Sequence, residues 1–320
     1  GVRRSTVSIA ASPLQKAGVI QYQHGRITIV DRVGLENAAC ECYAAVVSEY
    51  RRMLGVDPAV VEAANLARPA YKPNQRAGDR NTNDMTSSRT AAPANRLLGL
   101  LSPRDYASLR PHLEHVELEY RKSLYEANKK IEFVYFIETG VGSLVNTMAN
   151  GQAAEVGTIG NEGFVGVPVV LGDDRAPTSV YVQVPGAGLR MKAAIFGKAL
   201  ARSPSMQVVM LRYVHALFNQ VAQSAACNHF HSLEQRCCRW LLMTRDRMQS
   251  DEFLLTQEFL AMMLGVQRPG VSIAAGGLQR AGLITYNRGH VSILAAAGLK
   301  RLSCECYGIS KREFDRLLGR

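Results

Sequence analysis

Apolar residues recur at three- and four-residue spacing over Phe259, Leu260, Met263 and Leu264, and again over Val271, Ala274, Ala275 and Leu278. Each set draws one apolar stripe along a helix and turns it toward a core. Thr256 can accept a hydrogen bond from a free backbone N–H, and Glu258 falls in the first turn, where the helix dipole favours an anion, so the first helix starts there. Gly265 ends it, because glycine reaches positive φ without steric cost, and a second helix is predicted from about Arg268 or Pro269. Beyond Gly282 the period changes to two. Segments 283–286 and 290–293 alternate on either side of Asn287-Arg288-Gly289, a three-residue hairpin connection. Helix, glycine turn, helix and hairpin predict a winged helix-turn-helix whose second helix turns Gln267, Arg268, Gly270 and Ser272 outward.

Upstream, residues 116–191 read as short strands broken by glycines. Segment 134–137 runs to Gly140 and Gly142, 143–148 to Gly151, 153–159 to Gly160, 164–171 to Gly172, and 179–184 to Pro185-Gly186. Such spacing of turn residues predicts a small antiparallel barrel or jelly roll, preceded by a short helix ending near Leu113. A long helix over about 205–226 follows. On it Leu211, Val214, Phe218, Val221 and Ala225 alternate three- and four-residue steps, which suits a coiled-coil seam and also an ordinary core helix. Ser232 and Gln235 then make a capping box for a helix carrying Leu233, Trp240, Leu241 and Met243.

The front of the chain is a repeat. Gly1 falls on Gly265, residues 1–55 align on 265–319 without a gap, and about half of the positions are identical. This copy begins at the turn glycine, so its recognition helix lacks the first helix of the pair. Pro13 removes a backbone donor within that helix and clashes with the preceding turn, at a cost of about 3 kcal/mol. By position, Arg3, Arg4 and Ser8 are its candidate DNA contacts. Two origins fit: a chain that begins inside a longer tandem protein, or an upstream relic joined in frame to a protein starting at Met85. Both make residues 1–55 a remnant. Residues 56–92, with Arg68-Pro69, Lys72-Pro73 and a run rich in Asn, Asp, Thr and Ser, read as a linker.

Composition adds two constraints. A chain of 320 residues with 47% hydrophobic and 20% charged positions has room for two or three globular domains. The net charge of +11 is concentrated at the ends: Lys and Arg outnumber Asp and Glu by 12 to 8 in residues 1–92, 13 to 11 in 93–229 and 13 to 8 in 230–320. Between Phe259 and Cys304 there is no acidic residue, whereas Arg268, Arg280, Arg288, Lys300 and Arg301 are present, which suits a phosphate backbone. The candidate DNA contacts are Gln257, Gln267, Arg268, Ser272, Arg280, Arg288 and His290.

Seven cysteines, odd in number and with Cys237 beside Cys238, do not make a secreted disulfide framework and read as reduced thiols. Cys40/Cys42 and Cys304/Cys306 are spaced C-x-C, which on a helical segment sends the two thiols to different faces. His229 and His231 are read as lying at a helix start. No metal site and no cofactor are therefore expected. With no run of 18 apolar residues and no signal-peptide pattern, a cytoplasmic chain without membrane contact is expected.

Jelly roll, long seam helix and winged helix-turn-helix, in that order over roughly residues 93–294, resemble the Crp/Fnr family of transcription regulators. The resemblance implies an α+β chain: a partial winged-helix repeat (1–55), a linker (56–92), an antiparallel jelly-roll sensor resembling a cyclic-nucleotide-binding domain (93–204), a dimerisation helix (205–229) and a DNA-binding domain with a helical tail (230–320). It implies a homodimer reading palindromic sites on double-stranded DNA, and admits RNA polymerase as a further partner. Arg268 matches a family arginine near the start of the recognition helix, and Ser272 matches a position often serine in Fnr-like members. Pro269 stands where glutamate is common, and Ile273 where many members carry a second base-reading arginine. In the cyclic-nucleotide members a glutamate follows the glycine matching Gly166 and an arginine precedes the serine matching Ser179. Here those positions are Val167 and Thr178, with Arg175 the nearest cation, so a cyclic nucleotide is not expected and the small-molecule effector is unknown. There is no cysteine cluster before the roll of the kind that holds an iron–sulfur centre in Fnr-type oxygen sensors.

Two other readings compete with this one. Jelly rolls also house cupin-type metal enzymes, which need clustered His and Glu ligands on the strands. No histidine occurs from Val116 to Met191, which argues against an enzyme. A non-functional fusion product is the second alternative, suggested by residues 1–92.

Overall fold

The computed structural model describes residues 4–23, 26–54 and 93–319, in two units, one within Gly1–Thr86 and one within Ser87–Arg320. The expected linker lies outside the described residues. In the front unit, α1 (Arg4–Lys16) leads to a hairpin of β1 (Ile20–Gln23) and β2 (Arg26–Ile29), then α2 (Arg32–Ala38) and α3 (Glu41–Leu54). Pro13 sits inside α1. The buried core is Ala11, Val19 and Ile20, with Leu14, Tyr22 and Leu35 packed against it. Ile9, Val33 and Met53 remain exposed. So small a core removes little apolar surface from water.

The second unit opens with α4 (Arg96–Gly99) and α5 (Pro103–Leu109) and builds the roll from β3 (Glu114–Leu118) to β10 (Gly186–Lys192). Between them come β4 (Ser123–Tyr125), β5 (Phe133–Ile137), β6 (Val141–Thr147), β7 (Ala153–Ile159), β8 (Phe164–Val165), α6 (Val167–Val170) and β9 (Ser179–Val184). Two four-stranded antiparallel sheets result, ordered β3-β10-β5-β8 and β4-β9-β6-β7. Segment 164–171, read as one strand, is instead a two-residue strand and a helical turn, because Pro168 has no N–H for a ladder but fits the first turn of a helix.

The roll's core gathers Phe136, Phe164 and Phe196, with Tyr213 from the long helix 5.5 Å from the Phe164 ring. Tyr213 Oη donates to the Phe164 carbonyl at 3.2 Å. After α7 (Ala193–Arg202), Ser203 caps the long helix α8 (Pro204–Phe230), accepting from the Met206 N–H. Asp105 ties this start down, accepting from Ser203 Oγ at 2.6 Å, Ser205 Oγ at 2.7 Å and Ser102 Oγ at 2.8 Å. Those hydroxyls hold its carboxyl below the usual range, Ser203 first.

The seam residues of α8 are not what packs inward. Met206, Met210, Tyr213, Leu217, Gln220, Ser224 and Cys227, also in alternating steps of four and three, face the chain's own core. Leu211 and Phe218 of the expected seam are 51% and 68% exposed, Ala225 is exposed, and Val214 and Val221 are half-buried. The helix therefore has one stripe for its own chain and a second, apolar stripe in water.

α9 (Leu233–Met248) starts at the expected capping box. It is followed by β11 (Glu252–Leu254), α10 (Gln257–Leu264), α11 (Arg268–Arg280), β12 (Ile284–Asn287), β13 (His290–Ile293), α12 (Ala296–Leu302) and α13 (Cys306–Leu318). The tail folds back: α13 packs along α8, and Phe314 and Leu318 join the roll core. Among the described residues, no helix is long and apolar enough to cross a membrane.

Candidate nucleic-acid interface

The reader follows from its local sequence. Thr256 Oγ1 accepts from the Phe259 N–H at 3.2 Å and starts α10. Gly265 ends it in the left-handed conformation at φ 61°, and Val266-Gln267 leads straight into α11 at Arg268. Val271, Ala275 and Leu278 are buried and Ala274 half-buried, so the predicted inner face holds.

The wing differs by one residue from the expectation. Asn287 pairs with His290 in the ladder, leaving a two-residue turn of Arg288 and Gly289 with φ 47° and 82°. Positive φ at both central residues is the primed turn whose twist matches a hairpin, with glycine in the second place. Sequence alone also missed β11, three residues that add a third strand beside β13.

Gln257, Arg268 and Arg288 line one cleft with Thr256 and Tyr286. Ser272 Oγ, one turn along α11, donates to Gln257 Oε1 at 2.8 Å and lies 3.2 Å from the Arg268 carbonyl. Gln267 is the exposed cap of α11, and His290 is exposed at the start of β13. Arg280 does not join this group. It is the last residue of α11, 12 positions from Arg268, or about 18 Å along a helix. Ile273 is 73% exposed on the outer face, an apolar side chain among the polar candidates. Of the front-copy candidates, Arg4 and Ser8 belong to α1, and Arg3 lies outside the described residues.

The reader docks on the roll of its own chain. Val141, Val145 and Val184 of the sheet share a core with Trp240, Leu241, Phe259, Leu260 and Met263. Tyr120 meets Phe259 with ring centroids 5.8 Å apart, and Arg121 pairs with Glu258 at 3.5 Å. At the centre of this contact Glu155 accepts from Trp240 Nε1 at 3.2 Å and Ser143 Oγ at 2.5 Å. Burial pushes its carboxyl up to about 7, outweighing both hydrogen bonds and the nearby Arg239 and Arg247. None of these contacts covers the outward face of α11.

In the roll, the positions that matter for a cyclic nucleotide carry other duties. Val167 heads α6, half-buried against the core. Thr178 Oγ1 lies 3.5 Å from Tyr125 Oη, and buried Ser179 accepts from the Ala127 N–H at 2.9 Å. Arg175 is exposed and lies 3.6 Å from Asp174.

The expectation for the cysteines and histidines is overturned in its geometry. Cys304 lies in the connection between α12 and α13 and Cys306 is the first residue of α13, so the C-x-C straddles a helix start and its thiols converge. His231 is the residue after the last of α8, at its C-terminal cap, not at a helix start. Cys227, His231, Cys304 and Cys306 meet in one place.

A roll, a long helix with a second apolar stripe and a basic winged helix-turn-helix make up the second unit. Residues 235–302 match the Crp-like helix-turn-helix domain. The fold is similar to that of a Crp/Fnr-family transcriptional regulator from Eubacterium rectale, with TM-score 0.52 and 15% identity over 63% of this chain and 94% of that one. A CRP-family transcriptional regulator from Thermus thermophilus matches with TM-score 0.50 and 18% identity over 59% of this chain and 96% of that one. The c-di-GMP-responsive global regulator CLP of Xanthomonas campestris matches with TM-score 0.50 and 13% identity over 60% and 99%. No curated protein matches the chain in sequence. Residues 235–302 therefore carry a Crp-like helix-turn-helix domain, and the fold is similar to that of Crp/Fnr-family regulators.

Proposed function

We propose that the chain binds palindromic operators as a homodimer, reading each half-site with the N-terminal end of α11. The observation that carries this is the surface cluster of exposed Arg268 and Ser272 with half-buried Gln257, beside Arg288 of the wing. An arginine there suits a guanine edge, worth about 1–3 kcal/mol of discrimination, and bare Ile273 suits a thymine methyl. Arg288, His290 and Gln267 are contacts to the groove edge and backbone. Arg280, at the far end of α11, is at most a phosphate contact. Arg3, Arg4 and Ser8 of the front copy have no part in this reading.

The outer stripe of α8, with Leu211, Phe218 and Ala225 exposed and Val214 and Val221 half-buried, supports α8 as the two-fold seam, since the inner stripe is already used within the chain. The effector is not a cyclic nucleotide in this reading, because neither the ribose acceptor nor the phosphate cation is present and the Ser179 hydroxyl is engaged by backbone. Responsiveness of the Xanthomonas regulator to c-di-GMP does not transfer at 13% identity. A cytoplasmic location and contact with RNA polymerase complete the proposal.

Selection of random duplex DNA by the whole chain, at a stated salt concentration, followed by sequencing, tests it. A two-fold symmetric motif with half-site centres about one helical turn (34–36 Å) apart is expected. Enrichment of no motif, with binding that vanishes as salt rises, leaves only non-specific phosphate affinity and rejects the operator reading.

A further inference from the structure

Three thiols and an imidazole that lie far apart in sequence close on one point where α8, α9, α12 and α13 meet. Cys227 is in the last turn of α8 and His231 caps that helix. Cys304 and Cys306 bracket the start of α13. Their ligating atoms all lie within 4.8 Å of one another. Cys227 Sγ is 3.5 Å from Cys304 Sγ, and Cys306 Sγ is 3.5 Å from His231 Nδ1. Metal–sulfur bonds of about 2.3 Å and metal–nitrogen bonds of about 2.0–2.1 Å, set at tetrahedral angles, give edges of about 3.6–3.8 Å, which these distances approach.

We propose that Cys227, His231, Cys304 and Cys306 form a closed tetrahedral site for a thiophilic divalent ion of the zinc class. The site stands on the geometry above and does not rest on the operator reading.

Two features of the surroundings support it. The first is the histidine's other nitrogen. With Nδ1 toward the thiols, Nε2 lies 3.3 Å from the Glu305 carboxylate, the carboxylate–histidine pairing that fixes a ligating ring and raises its basicity. Gln223 Nε2 likewise donates to Cys306 Sγ at 3.0 Å.

The second is charge. Arg236 and Arg239 of α9 are buried, and the Nε of each has no hydrogen-bond partner. Among the described residues no carboxylate lies within ion-pair distance of either. A divalent ion held by three thiolates would carry one net negative charge, which suits two buried guanidiniums without an ion-pair partner. A soft or borderline ion is indicated because three of the four donors are sulfur. With no open position for water, the site is structural: it ties the end of the long helix to the junction of reader and tail.

The front copy repeats Cys40 and Cys42 at the positions of Cys304 and Cys306, and both are exposed. Cys227 and His231 lie outside the repeated segment 265–319, so residues 1–55 carry no match to them. This supplies an internal control.

The test is metal analysis of the whole chain isolated under reducing conditions, together with titration of the metal-stripped chain with Co2+. One equivalent of zinc is expected, as are the thiolate charge-transfer and intense d–d bands of tetrahedral cobalt, both displaced by added Zn2+. The C304S/C306S variant should bind no equivalent, and C40S/C42S should keep it. Glu305→Ala, which leaves all four ligands in place, should weaken the metal about 10–100-fold. Alkylation mapping guards against a misfolded cysteine variant. In the wild-type chain Cys227, Cys304 and Cys306 should resist alkylation with zinc bound and react after chelation, while Cys40 and Cys42 react throughout. A chain isolated without metal whose cobalt titration is featureless overturns the proposal. So do bands that follow Cys40 and Cys42, or a Cys227–Cys304 disulfide in the freshly isolated protein.

Discussion

Arg247 Nη2 lies 2.8 Å from Glu162 Oε1, with only 8% and 7% of the two side chains exposed. The pair joins α9 of the reader to the turn between β7 and β8. Arg247 also donates to Gln220 Oε1 of α8 at 3.0 Å, so roll, long helix and reader share one guanidinium. Removing one partner of a buried pair leaves an uncompensated charge, at roughly 3–5 kcal/mol. Glu162→Gln should destabilise the second unit by an amount at the lower end of that range, since the amide keeps an acceptor. Replacing both partners, as in Glu162→Leu/Arg247→Met, should recover most of the loss. Denaturant unfolding of the three variants checks this, and equal losses in the single and double variants would show that the charge pairing is not the cause.

Glu155 should make the docking of the reader on the roll depend on pH. Its carboxyl is pushed up to about 7 in the fold by burial, against an ordinary value of 4.5. A carboxyl raised in this way favours the fold fully below pH 4.5, and the advantage is lost progressively as pH rises to 7. Above that the fold holds an ionised group where a neutral one is preferred, a difference of roughly 3 kcal/mol at 1.4 kcal/mol per tenfold. Stability relative to a Glu155→Gln variant should therefore fall between pH 5 and pH 7.5. The variant should be the more stable of the two at pH 8. Parallel melting curves across that range decide it.

Base reading at α11 divides between a polar and an apolar contact. Arg268→Ala should relax preference at one position per half-site, lowering discrimination there by about 1–3 kcal/mol. Ile273→Ala should relax a different position and leave the salt dependence of binding unchanged, since no phosphate contact is lost. Binding titrations against all single-base variants of the selected site measure both. Uniform weakening across sequences would make Arg268 a phosphate contact instead.

The bare stripe on α8 predicts the oligomeric state. Phe218 is 68% exposed in the single chain, so Phe218→Glu costs little within a monomer and puts a charge into a two-fold apolar seam. The variant should sediment as a monomer, keep the thermal stability of a dissociated wild-type chain and lose affinity for paired half-sites. A variant that remains dimeric would move the two-fold interface away from this stripe.

What the sequence by itself determined were the features written into neighbouring residues. Thr256, Gly265, Ser232 and Gln235 set helix ends through hydrogen bonds a few residues long, and the apolar periods of α10, α11 and the strands follow from the geometry of one element at a time. The Crp/Fnr resemblance was legible for the same reason, since it rests on the order of these local units.

Tertiary structure alone decided the rest. Asn287 entered the ladder because a two-residue primed turn fits the hairpin's twist. The 4/3 stripe of α8 that packs within the chain and the one left in water are both apolar enough to pass for a seam, and only the positions of the roll and of α13 tell them apart. Cys227 and Cys304 are 77 residues apart, yet 3.5 Å apart in space. C-x-C spacing within one helix separates thiols, but a helix start between them lets both face a third ligand from another helix. Contacts of that kind depend on where elements pack, and periodicity along the chain carries no record of it.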